Sequence, residues 1–287
     1  MTVDARDPRA VGPRIRMILP TLTPLEARVA RMLLDWKTLD DRTTLKEVAA
    51  RAGVSDPMVV KICKKLGFEG FRDLRVALVE YNGLPTSDLT AEVSRDDSPA
   101  AIVEKVFRTA IRALEETLAI LDRDAFVRAV DLLHRARIRD FYGVGGSAQI
   151  ARDVAHKFLR IGIRANVHDD AHMMLMSASL LGPDDVVVAF SHSGRSTTVL
   201  DAVQAARRRG ARVIAVTNYP NSPLVDLADA VLLSTALGSP LTGENAAARI
   251  AQLNILDAVF VALAQRDYDT AERNLAETMS SVRDKRR

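Results

Sequence analysis

Cysteine is all but absent from this chain: its 287 residues include one, Cys63, which can close no internal disulfide. It lies in an apolar, helix-periodic stretch with no candidate base beside it, and reads as a core thiol rather than a nucleophile. Aromatic residues make up only 5% of the chain against 48% hydrophobic residues overall. That is enough apolar content for one large core or two smaller ones, and the length favours two domains. Long apolar runs are missing too. The first 24 residues carry charges and prolines throughout, unlike a secretory signal, and the best membrane-span candidate, residues 250 to 264, is interrupted by Gln252, Asn254 and Asp257. A soluble, cytoplasmic protein with no membrane association is expected. Neither an internal repeat nor a low-complexity tract occurs.

The net charge of +3 is modest but unevenly placed. Residues 1 to 80 hold 15 basic against 11 acidic side chains, so the excess belongs to the N-terminal part. Alone it would be weak evidence of a nucleic-acid partner.

Between about 18 and 80 the apolar residues recur at helical spacing, punctuated by Thr23-Pro24, Thr43-Thr44, Gly53, Gly67 and Gly70, which predicts short helices and no strand. Residues 82–99 have the Gly, Pro, Ser and acid content of a linker. The apolar positions Ile102, Val103, Val106, Ile111, Leu114, Leu118 and Leu121 then predict a long amphipathic helix that opens a second domain or joins the two. From about 138 five short apolar runs alternate with helical segments near 147–161, 171–181, 196–209 and 243–264. This is the pattern of a parallel five-stranded sheet flanked by helices. The expected domains are therefore 1–81, all-α, and 100–287, α/β, joined by the 82–99 linker.

The stretch TTLKEVAARAGVSDPMVVKICKKLGFEGF, residues 43 to 71, has the punctuation of a helix-turn-helix. Thr44 with Glu47 is a capping box, Ala49 permits close helix crossing, Gly53 supplies a left-handed turn, and Ser55 caps a helix whose first turn tolerates Pro57. Val59, Ile62 and Leu66 share one face of that helix, and Met58, Lys61 and Lys65 another. A helix entering the major groove needs free residues at its start for base edges and cations for phosphates. The candidate DNA-contacting set is Thr44, Ser55, Asp56, Met58, Val59, Lys61, Lys64 and Lys65. The bland alternative is a helical hairpin with a solvated lysine face.

Two strand ends in the second domain carry chemistry. The first, GVGGSA at 143 to 148, places Gly145, Gly146 and Ser147 before a helix, where amides at the positive helix end receive anions. Ala148 stands where a dinucleotide fingerprint would have its third glycine, so no nicotinamide or other cofactor is expected. The second, SHSGRSTT at 191 to 198, crowds five hydroxyls around Gly194. Several neutral donors at a helix start suit a phosphate monoester, where one or two would suffice for capping. His192 sits inside this loop and is a candidate ligand contact. The dispersed histidines, His168 and His172 included, do not make a metal site. Glu244, near the start of the last predicted helix, either caps it or reaches a sugar hydroxyl.

Taken together, LTPLEARVARMLL, LKEVAARAGVSDPMVVKICKKLGFEGFRDLR, GVGGSA, the Ser-x-Ser-Gly-x-Ser motif at 191 to 196, VIAVTNYPNSPLVDLAD and RIAQLNILDAVF resemble the RpiR/MurR family of bacterial transcriptional regulators. That family joins a helix-turn-helix domain to a sugar isomerase (SIS) domain. The resemblance implies a phosphosugar held by Ser147, Ser191, His192, Ser193 and Ser196, operator DNA with symmetric half-sites, and a homodimer or higher oligomer through SIS contacts. Lys61 stands where the family more often has arginine. A regulator rather than an enzyme is expected, because the DNA-reading domain has no role in isomerisation; a phosphosugar isomerase or lyase of the same fold is the alternative.

Overall fold

The computed structural model describes residues 7–84, 93–236 and 245–283. The chain forms a helical unit that runs to Ile120 and an α/β unit that takes in Leu121–Ser234 and the chain from Ala248 on.

The helical unit contains α1 (Val11–Ile18), α2 (Pro24–Asp35), α3 (Leu45–Ala52), α4 (Asp56–Lys65), α5 (Phe71–Asn82) and α6 (Pro99–Ile120). Helix starts are chemically specified. Thr23 and Thr44 each accept the backbone N–H three residues on, and Glu26 and Glu47 accept the cap residue's own N–H in return, a reciprocal box at both α2 and α3. Helix α3 stops at Gly53, whose φ of 65° is left-handed backbone that a side chain would strain. Ser55 has the extended backbone of an N-cap, but its hydroxyl makes no cap bond. The expected side-chain cap is replaced by backbone bonds, Met58 and Val59 N–H both donating to the Ser55 carbonyl. Val29, Ala30 and Leu33 of α2, Val48 of α3, Val59, Ile62 and Cys63 of α4, and Leu74 and Leu78 of α5 form one core. Burial pushes the Cys63 thiol up to about 11.

Helix α6 belongs to this unit, so the contacts divide the chain at its end rather than across 82–99, of which residues 85–92 lie outside the described segments. Its apolar stripe is also turned opposite to the usual reading: Ile102, Val103, Val106, Ile111 and Leu118 are exposed, whereas Arg112, Ala113, Glu116 and Thr117 are buried. Electrostatics explains the inversion. Glu116 accepts from Arg112 Nε at 2.9 Å, from the Tyr81 hydroxyl at 3.0 Å and from Arg16, so one buried carboxylate ties α6 to α1 and α5. A Cβ at Gly12 would fall 2.1 Å from the Tyr81 hydroxyl oxygen, so glycine is what lets α1 approach this cluster.

The α/β unit runs α7 (Arg123–Arg135), β1 (Arg139–Gly143), α8 (Gly146–Arg160), β2 (Asn166–His168), α9 (Ala171–Leu180), β3 (Val186–Phe190), α10 (Thr197–Arg208), β4 (Arg212–Thr217), α11 (Pro223–Asp226), β5 (Ala230–Leu233), α12 (Asn245–Arg266) and α13 (Tyr268–Ser281). The five strands fall where the apolar runs predict them and pair in parallel in the order β2-β1-β3-β4-β5. Both faces are covered, which is why the strands read as continuous apolar runs. Successive residues of β3 serve opposite cores: Val186, Val188 and Phe190 join Phe141, Phe158 and the α12 residues Ile255, Leu256 and Val259, while Val187 and Ala189 join Met174, Val199 and Val203. Helix α12 is long and apolar enough to cross a bilayer by length and composition, yet its stripe packs on this sheet. His168 lies over the Tyr142 ring, with Nε2 3.6 Å from the fully buried Asp140.

Candidate functional site

In the helical unit α4 carries three lysines. Lys61, Lys64 and Lys65 share a shallow depression with Pro57 and Val60, and Ser55 and Asp56 open the helix beside them. Thr44 and Ser55 are exposed and Met58 is half-buried against the core. Val59 is corrected from the candidate set: it is fully buried and packs inward, with no surface to offer a base. Lys65 is less available than its spacing implies, because its ammonium lies 2.6 Å from the Glu26 carboxylate. The Thr44 hydroxyl is engaged in its capping box. Beside α3, Arg51 lies over the Trp36 ring at 4.2 Å.

In the α/β unit the two glycine and hydroxyl loops meet at the carboxyl ends of β1 and β3. These strands are neighbours, Gly143 pairing with Phe190, and the order of the sheet reverses between them. Such a switch point opens a crevice outside the sheet, the usual place for a ligand in a doubly wound fold. Gly145, with φ 57°, turns the chain into α8, and Gly146 and Ser147 form its first turn. A Cβ at Gly143 would meet the Ser147 and Ala148 backbone at 3.1 and 3.2 Å, so glycine brings the helix start down onto the strand end.

Opposite, Gly194 has φ 62°, and a Cβ there would stand 2.1 Å from Ser222 Oγ. Ser191 continues the sheet, its N–H donating to the Val216 carbonyl at 3.1 Å. The His192 carbonyl accepts from the Asn218 N–H and the Thr217 hydroxyl, both at 3.1 Å, and the Gly194 carbonyl accepts from the Leu224 N–H at 3.2 Å. The loop backbone is therefore pinned to the segment after β4. The His192 ring meets Tyr219 edge-on. Ser193 Oγ accepts the Arg195 N–H at 3.2 Å, which leaves its own proton to donate elsewhere. Ser196 occupies the N-cap of α10 without making a cap bond, and Thr197 and Thr198 fall in the first turn. Neither α8 nor α10 has an acid in its first turn or a side-chain cap, in contrast to the capped, acid-bearing starts of α2, α3 and α7. The positive ends of both helices thus lie at the crevice with no acid and no side-chain cap upon them. Glu244 lies outside the described residues.

Sequence reasoning missed two polar groups. Asn218 Oδ1 accepts from Ser234 Oγ at 2.8 Å and Gln252 Nε2 at 2.9 Å, all buried at the same sheet end. The signal was Gln252 breaking an apolar helix. The other is Glu26, announced by a second Thr-x-x-Glu spacing at Thr23.

Residues 10–83 match the model described as a helix-turn-helix domain of the rpiR family, and residues 132–262 match the SIS domain. Over 281 residues the chain is 43% identical to the HTH-type transcriptional regulator RpiR of Escherichia coli K12, covering 97% of this chain and 95% of that protein. The chain belongs to the RpiR family of transcriptional regulators. Among solved structures this RpiR-family regulator is similar to Vibrio vulnificus NanR complexed with ManNAc-6P, with a TM-score of 0.60 and 27% identity over 95% of this chain and 97% of that one. The sugar isomerase domain of an RpiR transcription factor from Sphaerobacter thermophilus shares the fold, with a TM-score of 0.57 and 24% identity over 61% of this chain and 97% of that one.

Proposed function

We propose that this RpiR-family regulator binds operator DNA through α4 and that a phosphorylated sugar, held where β1 and β3 end, changes its affinity for that DNA. The observation that carries the ligand half is the pair of uncapped, acid-free helix starts flanking one switch point. A phosphate monoester brings close to two negative charges and several acceptor oxygens to such a place. Gly145, Gly146 and Ser147 approach it from one side, and Ser191, His192, Ser193, Gly194 and Ser196 from the other. That NanR was solved with ManNAc-6P supports the class of ligand.

On DNA, Ser55, Asp56 and Met58 stand where base edges are read, and Lys61 and Lys64 where phosphates lie. Paired reading heads match symmetric half-sites about one helical turn apart, so the working species is a dimer or higher oligomer, joined through the SIS domains, in the cytoplasm. The sugar acts by binding one arrangement of those heads better than another. Isomerisation needs a base aimed at the sugar carbons, a chemistry in which the DNA-reading domain has no role, so regulation without turnover is the favoured reading.

The test is a thermal-shift panel of phosphorylated sugars, each hit then added to a DNA-binding titration. A hit should raise the melting temperature of the wild type and not of Ser193→Ala/Ser196→Ala, and should move DNA affinity. An undiminished shift in the double variant places the phosphate elsewhere, and steady turnover of a hit overturns the non-enzymatic reading.

A further inference from the structure

Glu26 is buried where α2 meets α4, only 3% exposed, and its two oxygens have separate tasks. Oε2 accepts the Thr23 N–H at 3.1 Å and completes the cap of α2. Oε1 faces α4, 2.6 Å from Lys65 Nζ and 3.9 Å from Lys61 Nζ. The two lysines are one turn apart on the helix, and their side chains remain 40% and 61% exposed, so both ammoniums lie between a buried carboxylate and solvent. A lysine that leaves Glu26 for a DNA phosphate abandons a buried charge, which water cannot easily compensate.

We propose that Glu26 is a positioning residue for DNA recognition: it keeps Lys65 on the protein and competes with phosphate for Lys61, so that α4 engages the DNA backbone with fewer cations than it carries. This rests on α4 being the DNA-reading helix. Sequence-independent affinity grows with each phosphate neutralised, whereas base contacts do not. Withholding lysines therefore lowers the sequence-independent part of DNA affinity and its salt dependence, and Glu26 sets how many cations of α4 contribute to it.

Glu26→Gln isolates the effect, because glutamine at the same position still completes a capping box while losing the charge. Binding of the full-length protein to a labelled duplex of random sequence is followed by anisotropy across a salt series. In Glu26→Gln the slope of log affinity against log salt steepens by about 0.9 for each lysine released, so its affinity advantage over wild type shrinks about 3.5-fold per lysine between about 50 and 200 mM salt. Adding Lys65→Ala to Glu26→Gln removes about 0.9 of that slope. Lys65→Ala in the wild-type background leaves the slope unchanged, a result that stands even where Glu26→Gln folds poorly. Equal slopes for wild type and Glu26→Gln, or a slope reduced by Lys65→Ala alone, overturn the proposal while leaving DNA binding intact. A wild type that binds no duplex at any salt overturns the assignment of α4 first, and this inference with it.

Discussion

Replacing Gly194 by alanine separates two reasons for glycine in the hydroxyl loop. Its φ of 62° places an L-residue in left-handed backbone, at a cost of about 1–2 kcal/mol. The added Cβ would also stand 2.1 Å from Ser222 Oγ and 2.5 Å from Ser222 Cβ, so one side must move, at a further cost of about 1–3 kcal/mol. The total loss is about 2–5 kcal/mol. Gly53→Ala has nearly the same φ, 65°, with nothing within 4 Å of the new methyl, and loses only the backbone share. Urea unfolding followed by circular dichroism measures both. The cycle with Ser222→Gly removes the colliding atoms, leaving Thr217 Oγ1 at 3.2 Å, and should show a coupling of about 1–3 kcal/mol between the two sites. Two results refute the reasoning: Gly194→Ala no worse than Gly53→Ala, or a coupling within about 0.5 kcal/mol of zero.

Glu116→Gln leaves the half-buried Arg16 and the buried Arg112 without the carboxylate that offsets their charge and should cost about 3–5 kcal/mol in urea unfolding; a neutral outcome would mean the cluster does not hold α6. Val59→Ala should lower stability by about 2 kcal/mol without altering the salt slope of DNA binding, whereas Lys64→Ala should reduce that slope by about 0.9 at unchanged stability; the reverse pattern would return Val59 to the reading face. The Lys65 ammonium, then the Thr23 N–H, hold the folded Glu26 carboxyl at about 2 instead of 4.5. The stabilisation is full above about 4.5 and is lost as the pH falls toward 2, so over that interval the urea midpoint of the wild type should drop more than that of Glu26→Gln.

The architecture was legible because its signals are local: a Thr-x-x-Glu box, a turn glycine, and apolar runs of strand length separated by helices. Such patterns need no knowledge of what lies across the fold. Helix α6 defeated the same logic, since its periodicity is real but a carboxylate 100 residues from its Arg16 partner decides which face is buried. Val59 appeared among DNA contacts because nearness to a helix start says nothing of side-chain direction, which its spacing with Ile62 did indicate. Lys65 looked like a free cation because the Glu26 that claims it lies 39 residues earlier. At the strand ends the residue types were visible in the sequence, whereas Thr217, Asn218, Ser222 and Leu224, which fix the shape of the loop, come from the end of β4 and the segment that follows it.

The anchoring of the hydroxyl loop has a thermodynamic corollary. With the His192 and Gly194 carbonyls already bonded to the chain that follows β4, folding has ordered the loop before any ligand arrives. Immobilising free backbone costs about 1–2 kcal/mol per residue, and a phosphate binding as proposed would be spared that cost. Affinity can then arise from a few hydrogen bonds, with little heat-capacity change on binding. Thr217→Val, which removes the hydroxyl that bonds the His192 carbonyl and need not touch the ligand, would loosen the loop and weaken binding through the entropy of ordering rather than through a lost contact.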